Sequence, residues 1–230
     1  MRKAFLFLPV FLSAVAPAFG QTKAPQPSTT AKVPSVVPIK EIVDKGTVSG
    51  RKYTNDKLNF SFTLPGAWEI KPNNFADDML RQGVDIRLKA PDNLRPGDQA
   101  KVNQSLRRVE VLLTASRARF DSYQNAILRV SAEDLKPNPQ IKDAVDYFDA
   151  VRASYKSMKL PADFVYSDTK AEKLGHHEFA FLDIDSAAGK KRMYATVQNG
   201  FAVLFTLTYS SDDDLQSLRT ILSDGNFKLK

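Results

Sequence analysis

Two neighbouring histidines and two carboxylates on alternate residues are the side chains of this 230-residue sequence whose types and spacing invite chemistry. His176 and His177 are its only histidines, and Glu178 is the one local candidate for a third zinc ligand. Successive side chains of a strand point to opposite faces, so these two rings do not share one metal ion. One ring is expected in solvent and the other packed near the start of a strand. Asp183 and Asp185 fall on one face of a strand, where paired carboxylates could bind Ca²⁺ or act as acid and base. Phe179 and Phe181 occupy that same face and no glycine-rich ligand loop accompanies the pair. A strand leaving the core as it nears its turn accounts for the pattern. Asp212, Asp213 and Asp214 resemble a metal-ligand run but open a helix, where carboxylates stabilise the exposed N–H groups by about 0.3–1 kcal/mol each.

The familiar catalytic signatures are missing. The sequence has no G-x-S-x-G elbow, H-E-x-x-H, phosphate-cradling G-x-x-x-x-G-K or G-x-G-x-x-G. It has no cysteine, which removes thiol catalysis, thiolate metal sites and disulfides together. No catalytic residue, cofactor or metal is expected. Trp68, just after Pro65-Gly66, reads as a lid over the first strands rather than a ligand platform.

The elements that must position these residues lie behind a leader. Arg2 and Lys3 precede an apolar run from Ala4 to Val15, and Ala18-Phe19-Gly20 supplies small residues for a signal peptidase. Residues 1–20 read as a signal peptide, the run being too short for a spanning helix of roughly 20 apolar residues. The expectation is an exported protein, periplasmic or extracellular, with no integral membrane span after cleavage. Residues 21–49, with Pro25, Pro27, Pro34 and Pro38 among Thr, Ser and Lys, read as a flexible spacer. Residues 50–230 are enough for a single domain with one well-buried core. Arg2 and Lys3 carry two of the +7 formal charges, leaving +5 on the mature chain. Its basic clusters, Arg107-Arg108, Arg117 with Arg119, and Lys190-Lys191-Arg192, are short and scattered, so they read as solvated edges and turns rather than a nucleic-acid face.

Within the domain, residues 58–64 alternate strictly as a half-buried strand after a short strand near Tyr53, and Trp68 and Ile70 follow as an alternating pair. Further strands are expected over 83–89, over 107–113 with Val109, Val111 and Leu113 inward, and over 127–130. A loop is expected from Pro91 to Gly97. Ile141, Val145, Phe148, Val151, Tyr155 and Met158 then recur at three- and four-residue spacing, a helix of about five turns bounded by Pro139 and Pro161. The last third reads as an antiparallel meander: 178–185, a turn at 186–189, 192–198, the Asn199-Gly200 hairpin and 201–209. A helix with Leu215, Leu218 and Leu222 as its buried stripe closes the chain. The class is α+β, an antiparallel sheet of about six strands flanked by two or three helices.

This order of elements resembles the PsbP-like superfamily. The carrying residues are Tyr53-Thr54-Asn55, Phe60 to Trp68, Asn199-Gly200-Phe201, Phe205 to Ser210, Asp213-Asp214-Leu215 and Phe227. That superfamily includes the extrinsic oxygen-evolving protein P of photosystem II, a Ran-binding import factor and many exported bacterial proteins. The resemblance covers roughly 50–230 and implies a binding or assembly role; the matching positions are core, turn and cap, and no functional residue carries over. The expectation is an exported, non-catalytic accessory or binding module with a protein or envelope partner. The alternative is a small-ligand-binding or hydrolytic domain built on Asp183 and Asp185 with His176 or His177.

Overall fold

The computed structural model describes residues 43–72, 74–81, 88, 90, 94–117, 126–158, 160–186 and 189–228. The leader and most of the spacer lie outside them, as does the strand expected over 83–89 apart from Leu88. In chain order the elements are β1 (Thr47–Ser49), β2 (Lys52–Asn55), β3 (Phe60–Thr63), β4 (Glu69–Ile70), α1 (Phe75–Arg81), α2 (Pro96–Leu106), β5 (Val109–Ser116) and β6 (Ile127–Asp134). They continue with α3 (Ala144–Ser157), β7 (Val165–Tyr166), β8 (Lys170–Leu174), β9 (His177–Asp185), β10 (Lys190–Gln198), β11 (Phe201–Tyr209), α4 (Asp212–Ser223) and β12 (Asn226–Phe227).

The α+β class holds, but the sheet count does not. Among the described residues there are four helices and two antiparallel sheets, not one sheet of about six strands. The large sheet has eight strands, β4-β5-β6-β11-β10-β9-β7 with β8 also paired to β9; the small one runs β1-β2-β3-β12. The excess comes from two- to five-residue strands, β4, β7, β8 and β12, too short for alternation to reveal. The folded part also reaches into the segment read as spacer: Thr47–Ser49 forms an edge strand and Val43 is buried in the core.

The long strands form the middle of the large sheet and are apolar on both faces. Gln198 pairs with Phe201 across the Asn199-Gly200 turn, whose φ angles of 50° and 81° are those the two residues were expected to supply. Alternation then splits each strand. Phe179, Tyr194, Val203 and Phe205 meet Tyr53, Phe60, Phe62, Leu64 and Trp68 of the small-sheet side, together with Leu218 and Leu222 of α4. Leu182, Met193, Ala195, Ala202 and Leu204 meet Val102 of α2 and Tyr147, Phe148, Val151 and Tyr155 of α3. Each fully buried phenylalanine contributes about 1.5–3 kcal/mol.

Helix α3 begins at Asp143, whose carboxylate accepts the N–H groups of Val145 and Asp146, both at 2.9 Å. Its buried stripe centres on Tyr147, Phe148, Val151 and Tyr155, which turns Val145 outward to 40% exposure rather than onto the core. Strand β5 departs from its expected register because Leu112 is a bulge: Val111 pairs with Ser131 and Leu113 with Val130. Val109 and Val111 therefore face one side of the sheet and Leu113 the other. Helix α2 occupies the end of the expected loop. Pro96 opens it at a position where the missing N–H costs nothing, with Asp98 in its first turn.

Candidate functional site

Strand β9 carries Asp183 and Asp185 on the face of Phe179 and Phe181, as their spacing requires. Asp183 lies across from Arg192 in the β9–β10 register and takes its guanidinium in a two-pronged bond, Oδ1 to Nε at 2.6 Å and Oδ2 to Nη2 at 2.7 Å. The guanidinium lies over the Phe181 ring, 4.3 Å from its centroid. Burial pulls the Arg192 pKa down, but the bonds to Asp183 and Tyr194 outweigh it and leave the group above its ordinary value. Both oxygens of Asp183 are thus held by a permanent cation. Asp185 is exposed and lies opposite Val165 of the edge strand β7.

The same face continues into a second ion pair. The Tyr194 hydroxyl donates to Glu172 Oε2 at 2.6 Å, and Arg219 of α4 bonds the other oxygen of Glu172. Burial and the Glu172 bond push the Tyr194 pKa up to about 12. The network ties β8, β9, β10 and α4 together.

The two histidines separate. His176 is exposed in the β8–β9 turn, whereas His177 is buried. His177 Nε2 lies 2.8 Å from Thr196 Oγ1, and its ring stacks on Phe227 at 5.3 Å and meets the edge of Phe179 at 4.7 Å. Burial lowers its pKa, partly countered by the Glu178 carboxylate. His177 and Asp183 are six residues apart on one strand, about 20 Å at strand rise, with Phe179 and Phe181 between them. Among the described residues no three His, Asp or Glu side chains group to hold a metal ion.

The other charged motifs are structural. Ser211 and Asp214 form a reciprocal cap on α4, and Arg117 Nη1 bonds Asp214 Oδ1 at 2.8 Å. Those bonds, led by that of Arg117, overcome burial and lower the Asp214 pKa. Trp68 covers the core as expected, its Nε1–H donating to Ser217 Oγ at 3.0 Å. Three basic clusters read as solvated edges are instead partly consumed: Arg108 bonds Glu133, Arg117 bonds Asp214, Arg192 bonds Asp183, and Lys191 is buried.

Sequence reasoning did not single out the outer face of the small sheet. Its inner side chains, Tyr53, Phe60 and Phe62, are core, and the inward polar ones are bonded within the protein. The Tyr53 hydroxyl donates to the Lys45 carbonyl at 2.7 Å and Asn55 Nδ2 to the Asp44 carbonyl at 2.8 Å. The outward side chains line up by register, Thr47 beside Thr54, Thr54 beside Ser61, and Ser61 beside Asn226. An open cavity of about 230 Å³ runs along this row, with Lys52, Asp56, Asn59 and Lys228 around it and Phe60 beneath. It offers hydroxyls, amides, two ammonium groups and the Asp56 carboxylate on strands whose other face is core. That arrangement suits recognition of a polar, acidic surface.

No protein-family profile matches the chain. No curated protein matches it either. Among solved structures it is similar to a crystal structure from Bacteroides thetaiotaomicron, at 11% identity and a TM-score of 0.39 over 80% of this chain and 50% of that one. It is also similar to the solution structure of cyanobacterial PsbP (CyanoP) from Synechocystis, at 15% identity and a TM-score of 0.39 over 80% of this chain and 98% of that one. The chain thus spans about half the length of the Bacteroides structure.

Proposed function

We propose that the chain is an exported, non-catalytic binding module that holds an acidic protein or envelope partner on the outer face of its four-stranded sheet. The cross-strand row of Thr47, Thr54, Ser61 and Asn226 beside its cavity, flanked by Lys52 and Lys228, carries this reading. It presents hydrogen-bonding groups outward from strands whose other face is core, so binding costs little reordering. The non-catalytic part is supported by Asp183, locked on Arg192, and by its separation from His177. Export rests on the character of residues 1–20; among the described residues no helix is long and apolar enough to cross a membrane. A PsbP-like assignment of the fold is supported by the motif residues, which supply β2, β3, the Trp68 lid, the Asn199-Gly200 hairpin and the α4 cap.

The test is a photo-crosslinking amino acid placed in living cells at Ser61, with Lys156 on α3 as the exposed control position. The expected result is one dominant adduct from Ser61, absent from Lys156 and weakened by the double variant Lys52→Glu with Lys228→Glu. Equal adducts at both positions, or none at Ser61, overturn the reading.

A further inference from the structure

Strand β12 is the shortest strand of the proposed binding face. It has two residues, pairs only with β3 through Asn226 and Phe227, and is continued by one bond from the Lys228 N–H to the Asn59 carbonyl at 3.0 Å. Asn226 and Lys228 reach the cavity from it. What holds it down is the inward ring of Phe227, which stacks on Phe60 at 5.8 Å, meets Phe179 at 5.0 Å and lies on His177 at 5.3 Å. Phe205 also meets this ring at 5.8 Å, so four of the five rings in this box are apolar and the fifth is an imidazole.

We infer that His177 is an acid-operated latch: uptake of a proton by its ring loosens Phe227, frees β12 and takes Asn226 and Lys228 out of the binding cavity. The inference rests on the reading that this cavity is the binding face. In the neutral ring, Nε2–H donating to Thr196 Oγ1 leaves only a bare lone pair on Nδ1. Nδ1 is buried and has no hydrogen-bond partner among the described residues. A proton arriving there creates a charged N–H with no acceptor inside an aromatic box, which the fold relieves only by opening. The ionisable groups around the ring do not supply that acceptor. On its own strand and turn these are His176 and Glu178; on β8, where Leu174 lies opposite, Lys173; at the end of α4, Asp224; beside Phe227, Lys228. Strand β10 presents Thr196, whose hydroxyl is already taken by Nε2. Opening at β12 is the direction of least resistance, since the other neighbours belong to long strands or to the Gly175 turn locked against the α4 terminus.

The experiment is amide exchange at Phe227 and Lys228 in the full mature chain between pH 7.5 and 5, corrected for the intrinsic pH dependence of exchange. Protection should fall about tenfold for each unit by which the closed-state pKa of His177 lies beneath that of the open state. In His177→Gln, which keeps a bonding group for Thr196 but does not titrate, it should stay flat. Should that variant misfold, ring-proton titration of the unaltered chain decides. His177 should titrate below the ordinary histidine value, with Phe227 moving at the same midpoint. A His177 midpoint at or above the ordinary histidine value, or Phe227 and Lys228 unmoved, overturns the latch. Exchange needs no partner, so a flat profile sinks the latch while a Ser61 adduct would stand. A pH-dependent opening with no Ser61 adduct sinks the binding reading alone.

Discussion

The Tyr147 hydroxyl of α3 donates to Glu133 Oε2 at the end of β6 over 2.8 Å, with both side chains wholly buried. Arg108 approaches the other oxygen at 3.3 Å. Burial raises the Glu133 pKa more than these two partners lower it. A carboxyl whose folded pKa stands above its unfolded value favours the folded state in acid, and that contribution is lost as pH rises through the folded value.

Tyr147→Phe removes the hydroxyl and leaves a buried carboxylate under-bonded. It should lower unfolding stability by about 1–3 kcal/mol, read as a shift of the urea midpoint at pH 7. Glu133→Gln should erase the gain in midpoint that this carboxyl contributes to the wild type on acidification from pH 7 towards 5. An unchanged pH profile in Glu133→Gln would show that this carboxyl does not titrate with folding.

Asp183→Ala separates the two readings of β9. It strips Arg192 of its two-pronged partner in a half-buried site. The expected loss is about 1–2 kcal/mol of stability, with the Ser61 adduct retained. Loss of a measurable hydrolytic or small-ligand activity in a folded Asp183→Ala protein would instead restore the carboxylate reading.

Lys191 provides an alkaline test. Burial and the nearby Arg129 charge pull its pKa from 10.5 down to about 8. Between those values the unfolded chain holds the proton and the folded chain has released it, so this group makes stability rise with pH over that window. Denaturant midpoints measured from pH 8 to 10 should climb more steeply in the wild type than in Lys191→Met. Parallel curves would refute the assignment.

Gly175→Ala should be among the most damaging single changes. Gly175 has a φ of +61°, and a Cβ there would meet the Ser223 carbonyl oxygen at 2.2 Å. The left-handed backbone alone costs about 1–2 kcal/mol for a residue with a Cβ, and the contact adds to it. A thermal midpoint within a degree of wild type would contradict this packing of the β8–β9 turn on α4.

The parts of the fold legible in the sequence are those where one local period runs long. Helix α3 and the β9–β10–β11 meander show it over many residues, and Asn199-Gly200 punctuates it. The Leu112 bulge was not legible, because an extra residue in a strand leaves the apolar run looking regular. Helix α2 was not, because Pro96-Gly97 carries loop residues and only Val102 gives it a fully apolar anchor. Of the candidate site residues, the shared face of Asp183 and Asp185 followed from strand alternation, whereas His176 is exposed because it lies in the turn ahead of the strand that buries His177. The partner of Asp183 did not, since cross-strand register is fixed by the whole sheet. The binding row was hidden for the same reason. Thr47, Thr54, Ser61 and Asn226 are each an unremarkable polar position until four strands bring them side by side.

The pairing of Phe60 with Phe227 also has a temporal side. Synthesis runs from the N-terminus, so β3 exists long before the strand that completes its sheet. Contacts of such long sequence separation form late and slow folding. Phe60 therefore waits uncovered on that edge until residues 226–228 emerge. Over that interval it is the natural holding point for a chaperone, and truncation ahead of Asn226 would leave that edge permanently open.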